Sequence, residues 1–533
     1  VLSRDRVLPK TPGSRPQSSR LSIIDATVIN FAPTAALWVF DSPLSVPGIP
    51  PFSTSQLLDS FRKALDEFPH WAGQLQWAPS KPGSSAHHER HGRLMVAWNT
   101  LNDPGAEFAV AHSPMTVASA FEEPTSRNAR PHWQFYPNTV RDLTPAVTLA
   151  LNNHGPAEGV PAMAVQCTTF ACGGLVVAVK LAHPLGDAQS VMQFMGNWTA
   201  LNQGSLPTYP PLFNPPLLDG FAGNSDSRDP GLIETADALP MLRYDYWASG
   251  KNCPAWAQKS TEIPLEIPQE LVEPFGQPIP WCELDTSKSV KTVVFHFSGE
   301  ELQCLINAEP PPAFIVAGLP ASPSRMTTLL GHIWRLILRA RCSTTPSLTF
   351  TFDLPAHLTL AMDLRPRLSP PLPPTFVGSP IANAAATWPP PAASTAPPIG
   401  PELAPTASNL SDALARALTA FREPPNVTAA LHRAVHAASP QRYWDAFLGQ
   451  RHTMVTTWTG MGLQQGDAGA GVKLRPRMAL PVMPAMDGLI CLFEAGGVDA
   501  GQRKWYDSGV DVMVSLEEKV MDRLVEEGGM HTF

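Results

Sequence analysis

No two of the seven cysteines stand as a CxxC pair; Cys167, Cys172, Cys253, Cys282, Cys304, Cys342 and Cys491 are scattered and odd in number. That excludes the usual zinc spacings and argues for free thiols in a reducing compartment rather than a disulfide framework. Runs of about 18 or more apolar residues are missing, so no helical membrane span is expected. The first stretch, "VLSRDRVLPKTPGSRPQSSR", carries early charges and no apolar centre, and it does not read as a signal peptide. Basic charge is also short: 38 Lys and Arg stand against 46 Asp and Glu, a net charge of −8 with no long basic tract. Generic nucleic-acid binding is thereby excluded, and any anionic ligand needs a local basic patch. These absences together predict a cytoplasmic protein.

Length and proline are what the chain has in plenty. Its 533 residues exceed the roughly 250–300 at which single cores stop growing, which predicts two large domains. The 59 prolines cluster in "PPAFIVAGLPASPS", "SPPLPPTFVGSP" and "WPPPAASTAPPIGP". These stretches are expected to be loops, because proline cannot donate to a helix or strand ladder.

Periodicity sets out the elements between those loops. Leu57, Phe61, Leu65 and Phe68 recur at helical spacing within 53–71, which Pro69 should end. Residues 162–184 read as a buried hairpin turning at Gly173-Gly174, with Cys167 and Cys172 both expected on strand. Val191, Phe194, Met195 and Trp198 mark a helix after it. From 205 to 285 the chain is rich in proline and aspartate and weakly periodic, as expected of a crossing between domains. Further on, "KTVVFHFS", "SLTFTFDLPAH" and "GLICLFEAG" read as strands. "EELQCLINA", "RMTTLLGHIWRLILRARC" and "LSDALARALTAFREP" read as helices, and "SLEEKVMDRLVEEG" as a serine-capped one. Strands and helices mix throughout, so the class is α/β, divided as 1–204, 205–285 and 286–533.

The stretch "LAHPLGDAQS" falls between a strand end and a helix start. A neutral imidazole at that place is a suitable general base near pH 7. Four residues beyond His183, Asp187 could accept a hydrogen bond from the ring or anchor the loop elsewhere, and Gly186 permits a tight backbone. HxxxD alone is a weak pattern, equally consistent with an ordinary turn. The histidines of "AHHERHGR" do not form HExxH and lie in a Ser/Gly/Pro-rich loop, so no metal is expected there. No G-x-S-x-G elbow is present, so nothing calls for an acyl-enzyme.

Context makes the pattern specific. The block "QCTTFACGGLVVAVKLAHPLGDAQSVMQFMGNW" resembles the corresponding block of the BAHD acyltransferase superfamily, in its fungal, trichothecene O-acetyltransferase-like branch. "LLGHIWRLILRAR", "MDLRPRLSPPLPPTFVGSPIAN", "TTWTGMGLQQGDAGAGVKLRPR" and "WYDSGVDVMVSLEEKVMDRL" resemble further family segments in the family's order. The resemblance implies two similar chloramphenicol acetyltransferase-like domains, each a mixed sheet with flanking helices, joined by the long crossover. It implies a monomer that takes acyl-CoA as co-substrate and a small-molecule acceptor, without metal or prosthetic group. His183 becomes the base, Asp187 supports its loop with Arg365 as a candidate partner, and Asp467, Gly469 and Gly471 fill a structural D-x-G-x-G frame. Arg365, Arg367, Lys473, Arg475 and Arg477 become candidates for the CoA phosphates.

Two departures qualify the match: Ala468 and Ala470 replace aromatic residues, and Ala188 replaces a common glycine. The activity implied is acyl-CoA-dependent O-acylation of a small apolar secondary metabolite, a polyketide or terpenoid, by direct transfer in a ternary complex. Two alternatives stand beside it. A condensation-type enzyme would take its acyl group from a carrier protein, although Ala182 stands where that family doubles the histidine. A non-catalytic metabolite-binding relative is the other.

Overall fold

Ser53 opens the first long helix by accepting a hydrogen bond from the Gln56 N–H, and the helix runs Thr54–Glu67. It stops short of Pro69 as the sequence predicts, and Leu57, Phe61, Leu65 and Phe68 are buried. This is a computed structural model that describes residues 1–43, 51–81, 84, 87–121, 132–135, 137–207, 209–224, 226–272, 275–308, 324–344, 355–389, 405–465, 474–495, 504–507 and 509–531.

Two large mixed sheets organise the chain. The first has the order Ser3–Val7, Ala106–Ser113, Met163–Phe170, Leu175–Leu181, Thr34–Phe40 and Met478–Pro481. The second has the order Ile381–Trp388, Ala356–Asp363, His452–Thr457, Leu489–Glu494, Val510–Glu517, Val290–Phe297 and His132–Gln134. Each sheet therefore takes one edge strand from the other half of the chain. Met478–Pro481 pairs antiparallel with Thr34–Phe40, and His132–Gln134 pairs antiparallel with Val290–Phe297. Exchange of edges covers backbone that would otherwise be open to pairing with another chain.

Helices Thr54–Glu67 and Ala188–Asn202 pack together beside the first sheet, where Phe61, Phe194 and Trp198 interlock. Helices Arg325–Thr344, Ala407–Ala420 and Glu518–Glu526 form the helical layer of the second. Val294, Cys491, Phe493 and Met513 of the second sheet belong to the same apolar cluster as the first sheet, so the halves meet in a shared apolar cluster, while the rest of the second sheet packs with its helices in a core of its own.

Several sequence expectations are refined. Residues 205–285 carry the short helices Pro215–Asp219 and Pro230–Ala238. They also supply Tyr244–Asp245 and Gln277–Pro278, which form a small sheet with Tyr443–Trp444. Cys172 is exposed in the hairpin turn rather than on a strand, because the ladder closes at Phe170 and Leu175. The expected strand 347–357 falls partly outside the described residues, and pairing is seen over Ala356–Asp363.

A second helix, Pro424–Val435, follows Ala407–Ala420. Ser515 caps no helix: strand Val510–Glu517 runs through it, its hydroxyl bonds to Thr292 Oγ1 at 2.8 Å, and the last helix starts at Glu518. Beyond the last helix Met530 is buried, and its carbonyl accepts a hydrogen bond from the His332 ring at 2.8 Å.

Edge exchange has a measurable consequence. Cleavage at a protease site placed in the exposed turn 250–252 should leave the two pieces eluting together on native gel filtration. Separate elution would mean that the shared cluster and exchanged strands do not hold the halves together.

Candidate active site

Strand Leu175–Leu181 ends at Ala182, and His183 begins a single 3-10 turn, His183–Leu185, shaped by Pro184. Asp187 then caps helix Ala188–Asn202, its Oδ1 accepting hydrogen bonds from the Ser190 N–H and hydroxyl, both at 3.0 Å. Gly186 between them is extended, so its value is steric. A Cβ there would lie 2.8 Å from Leu181 Cδ2 and from Ser190 Cβ. The Thr34 hydroxyl donates to the Gly186 carbonyl at 2.7 Å and ties the turn to the neighbouring strand.

Asp187 points away from the histidine into a buried ion pair. Arg365 Nη1 meets Asp187 Oδ2 at 2.7 Å and Nη2 meets Oδ1 at 3.0 Å, a two-pronged pair in which the arginine is 2% exposed. Arg365 also donates to Asp363 Oδ1 at 2.9 Å and twice to the Phe376 carbonyl, at 3.0 and 2.9 Å. Burial alone would lower the proton affinity of this guanidinium, but Asp187 and Asp363 outweigh it and raise it above the ordinary value.

The loop after Phe376 supports the histidine itself. Gly378 has φ +150, a conformation that favours glycine, and its carbonyl accepts from the Asp187 N–H at 3.0 Å. Ser379 then donates its hydroxyl proton to the His183 carbonyl at 2.5 Å and lies 3.1 Å from His183 Nδ1. A serine has one hydroxyl proton. With that proton on the carbonyl, Nδ1 must be the donor in the second contact, which leaves Nε2 with the free lone pair.

Ser379 is held in turn by its N–H to Asp25 Oδ1 at 2.6 Å. Asp25 is buried, and burial pushes its carboxyl up to about 6 against the lowering effect of hydrogen bonds from Ser22 and Ser379. Burial also lowers the His183 pKa, which the backbone hydrogen bond and the Asp187 charge only partly restore. Burial therefore favours the neutral ring. Phe31 meets it edge-on at 5.6 Å and 87°, and a small pocket against the ring is walled by Phe31, Pro33, Leu149 and Asn152 among others.

The sequence-expected residues fall into three groups. His183, Asp187 and Arg365 converge, although Arg365 cannot also serve CoA phosphates. Its nitrogens are committed to Asp187, Asp363 and Phe376 inside the protein, which corrects that expectation. Arg367 Nη1 donates to the Asp363 carbonyl, Arg475 is exposed, and Arg477 pairs with Asp41 at 2.9 Å. Asp467, Gly469, Gly471 and Lys473, with Ala468 and Ala470, lie outside the described residues. Asp25, Ser190 and Ser379 were missed. Ser379 sits inside the quoted "PPLPPTFVGSPIAN", but no chemistry in that string singles it out, and Asp25 lies 354 residues from its partner.

A family model for the Transferase family, the BAHD acyltransferases, matches residues 1–231 and 253–530. The chain belongs to this family. Among curated proteins this BAHD acyltransferase is 28% identical to acyltransferase AFT15-1 of Alternaria alternata over 72% of its own length and 70% of the relative's. It is 23% identical to acyltransferase abl6 of Leptosphaeria maculans over 99% and 97%. Vinorine synthase shares its fold, with a TM-score of 0.60 at 16% identity, covering 98% of this chain and 95% of that one. So does TRI101 of F. sporotrichioides, solved with coenzyme A and T-2, with a TM-score of 0.59 at 15% identity over 96% and 97%.

Removing one member of a buried ion pair strands the other, at a cost of about 3–5 kcal/mol. Arg365→Met should therefore lower unfolding stability by about that amount in a denaturant titration. A loss under ~1 kcal/mol would mean that Asp187 finds water or another donor when the guanidinium is gone.

Proposed function

We propose that this BAHD acyltransferase moves an acyl group from acyl-CoA to a hydroxyl of a small, largely apolar secondary metabolite, with His183 as general base and no acyl-enzyme. The observation that carries the proposal is the Ser379 contact: its hydroxyl donates to the His183 carbonyl and lies against Nδ1, which leaves Nε2 as the lone-pair nitrogen of a ring lining the pocket beside Phe31. The acceptor O–H gives its proton to Nε2 while its oxygen forms a bond to the thioester carbonyl carbon. The resulting tetrahedral adduct collapses with cleavage of the C–S bond. The imidazolium proton then passes to the departing thiolate, so the products are ester and free thiol and the ring returns neutral. Placing both reactants in one complex supplies perhaps ~7–11 kcal/mol, and the base adds roughly 10²–10⁴-fold.

Ligands of proteins with the same fold support this reading: the TRI101 structures hold coenzyme A with T-2 or with deoxynivalenol. We assign Asp187 and Arg365 to holding the base loop. Asp467, Gly469 and Gly471, which lie outside the described residues, are proposed to fill the family's structural D-x-G-x-G frame, and Arg367, Lys473 and Arg475 are the side chains proposed to meet CoA phosphates. The working domain division is 1–204, 205–285 and 286–533, with one short strand exchanged in each direction.

Thiol release from acetyl-CoA and longer acyl-CoAs, over a panel of hydroxylated polyketides and terpenoids, tests the assignment. His183→Ala should cost at least about 10²-fold in kcat. Release that is equal in wild type and His183→Ala removes the base. With the imidazole pKa held below 6.5 in the free enzyme, the acid limb of kcat/KM should fall below pH 6.5, since activity is lost only as His183 protonates; a limb above it contradicts the buried, neutral ring.

Ser379→Ala removes two neutral hydrogen bonds, to the His183 carbonyl and from Nδ1, each typically worth about 0.5–1.5 kcal/mol, and only the second bears on the ring's tautomer. It should lower kcat by about two- to tenfold and change the 15N signature of the His183 ring toward mixed tautomers. An unchanged ring spectrum would show that Ser379 does not set the tautomer.

A further inference from the structure

One wall residue of the pocket beside His183 breaks its apolar character. Apart from the histidine, only Asn152 among the lining residues has a side chain with hydrogen-bonding groups; its neighbours in the wall include Phe31, Pro33, Leu149 and Leu151. The Asn152 amide has no hydrogen-bond partner among the described residues, yet it is not sealed away as a buried orphan. An amide presents both a donor and an acceptor to whatever enters.

The backbone that presents Asn152 is unusual. Leu151, Asn153 and His154 have φ of +58, +47 and +56, and a bulky residue such as leucine is an outlier there. Such conformations persist only where the surroundings over-determine them, and they concentrate at ligand sites. The surroundings do so here. Ala150 N–H bonds to the Pro161 carbonyl at 2.9 Å, Leu151 N–H to the Pro156 carbonyl at 3.1 Å and Gly155 N–H to the Asn152 carbonyl at 3.0 Å. The His154 ring lies 3.1 Å from Asn30 Oδ1 and 3.3 Å from Ser260 Oγ, which ties the loop to an N-terminal turn and to the 205–285 segment. The strained loop is thus a fixed part of the wall.

The pocket is small, about 10 Å³, close to the space one water-sized group fills. It takes a functional group rather than a ring system, so the bulk of an acceptor lies outside and only its reacting end enters.

We propose that Asn152 is a specificity-determining residue that contacts the acceptor: its amide binds a second oxygen beside the hydroxyl that gives its proton to His183. The substrate class is then an apolar molecule carrying a vicinal diol or an α-hydroxy carbonyl. This rests on the assignment of His183 as the base. A hydroxyl neighbour can donate to the amide oxygen and a carbonyl neighbour can accept from the amide nitrogen. A lone alcohol leaves the amide unpaired, and sites built to hydrogen-bond discriminate strongly against ligands that lack the partner.

Labelling of His183 by diethyl pyrocarbonate, followed by peptide mass spectrometry on the full chain, reads occupancy of the pocket without turnover. The probes are decan-1-ol, decane-1,2-diol and 1-hydroxydecan-2-one. In wild type the diol and the hydroxyketone should protect His183 at about tenfold lower concentration than the simple alcohol, equivalent to ~1.4 kcal/mol. Asn152→Ala should erase both preferences with an unchanged thermal midpoint, since Asn152 itself has no positive φ to strain. Asn152→Asp keeps acceptor oxygens only and should retain the diol preference while losing that for the hydroxyketone. Equal protection by the three probes, absence of protection by any, or preferences that survive in Asn152→Ala overturn the proposal. Thiol release that persists in His183→Ala would instead overturn the base assignment, and the labelling result would stand apart from it.

Discussion

The His183 loop depends on one buried pair, Asp187 with Arg365, joining residues 178 apart in sequence. Asp187 caps the helix after the histidine, and Arg365 closes the end of strand Ala356–Asp363 in the second sheet. Two charges taken out of water gain little net stability, because desolvation cancels most of their attraction. Their value is positional. A two-pronged guanidinium–carboxylate contact fixes distance and orientation together, so the first sheet's His183 turn is registered against the second sheet's loop. Once Arg365 holds Phe376 and Gly378, Ser379 has no freedom to leave the imidazole.

Much of this was legible in the sequence for a simple reason. Local elements are written at fixed period: Leu57, Phe61 and Leu65 repeat at helical spacing, and Gly173-Gly174 interrupts two β-branched runs. Even the Asp187–Arg365 pair was within reach, because the family resemblance implies an arginine partner for that aspartate and the arginine-rich segment offered one. What stayed hidden has no local period. Ser515 reads as a helix cap because nothing nearby states that Thr292, 223 residues away, will share its hydroxyl on a strand. Asp25 reads as an ordinary first-turn acid, and only its bond to the Ser379 N–H gives it a place in the site. The exchange of edge strands is invisible for the same reason: Met478–Pro481 looks like loop until Thr34–Phe40 is beside it.

The chain of support around His183 separates two demands on the general base proposed for it. The ring has to be neutral, and the correct nitrogen has to be bare. Burial in the Phe31 pocket serves the first by penalising the imidazolium. Ser379 serves the second by taking Nδ1. Asp187 does neither directly, since its oxygens are consumed by Arg365 and Ser190. An HxxxD sequence pattern therefore does not describe a histidine–aspartate dyad in this protein. It describes a histidine and, one turn later, the bolt that holds its loop.

That separation also explains where variation can be tolerated. The bolt is a closed set of contacts buried between the halves, and changing any member strands a charge or a polar group. The wall opposite the ring is open by comparison: Phe31, Leu149 and Leu151 contribute shape, and Asn152 contributes the one amide. Chemistry that must stay constant is thus built from residues that see only protein, while choice of acceptor falls to a loop that sees the pocket. Backbone strain at Leu151 and Asn153 is the cost of presenting that loop at a fixed angle. Such strain has no stabilising role of its own, so its retention at the mouth of the base pocket is best understood as serving the geometry of what enters.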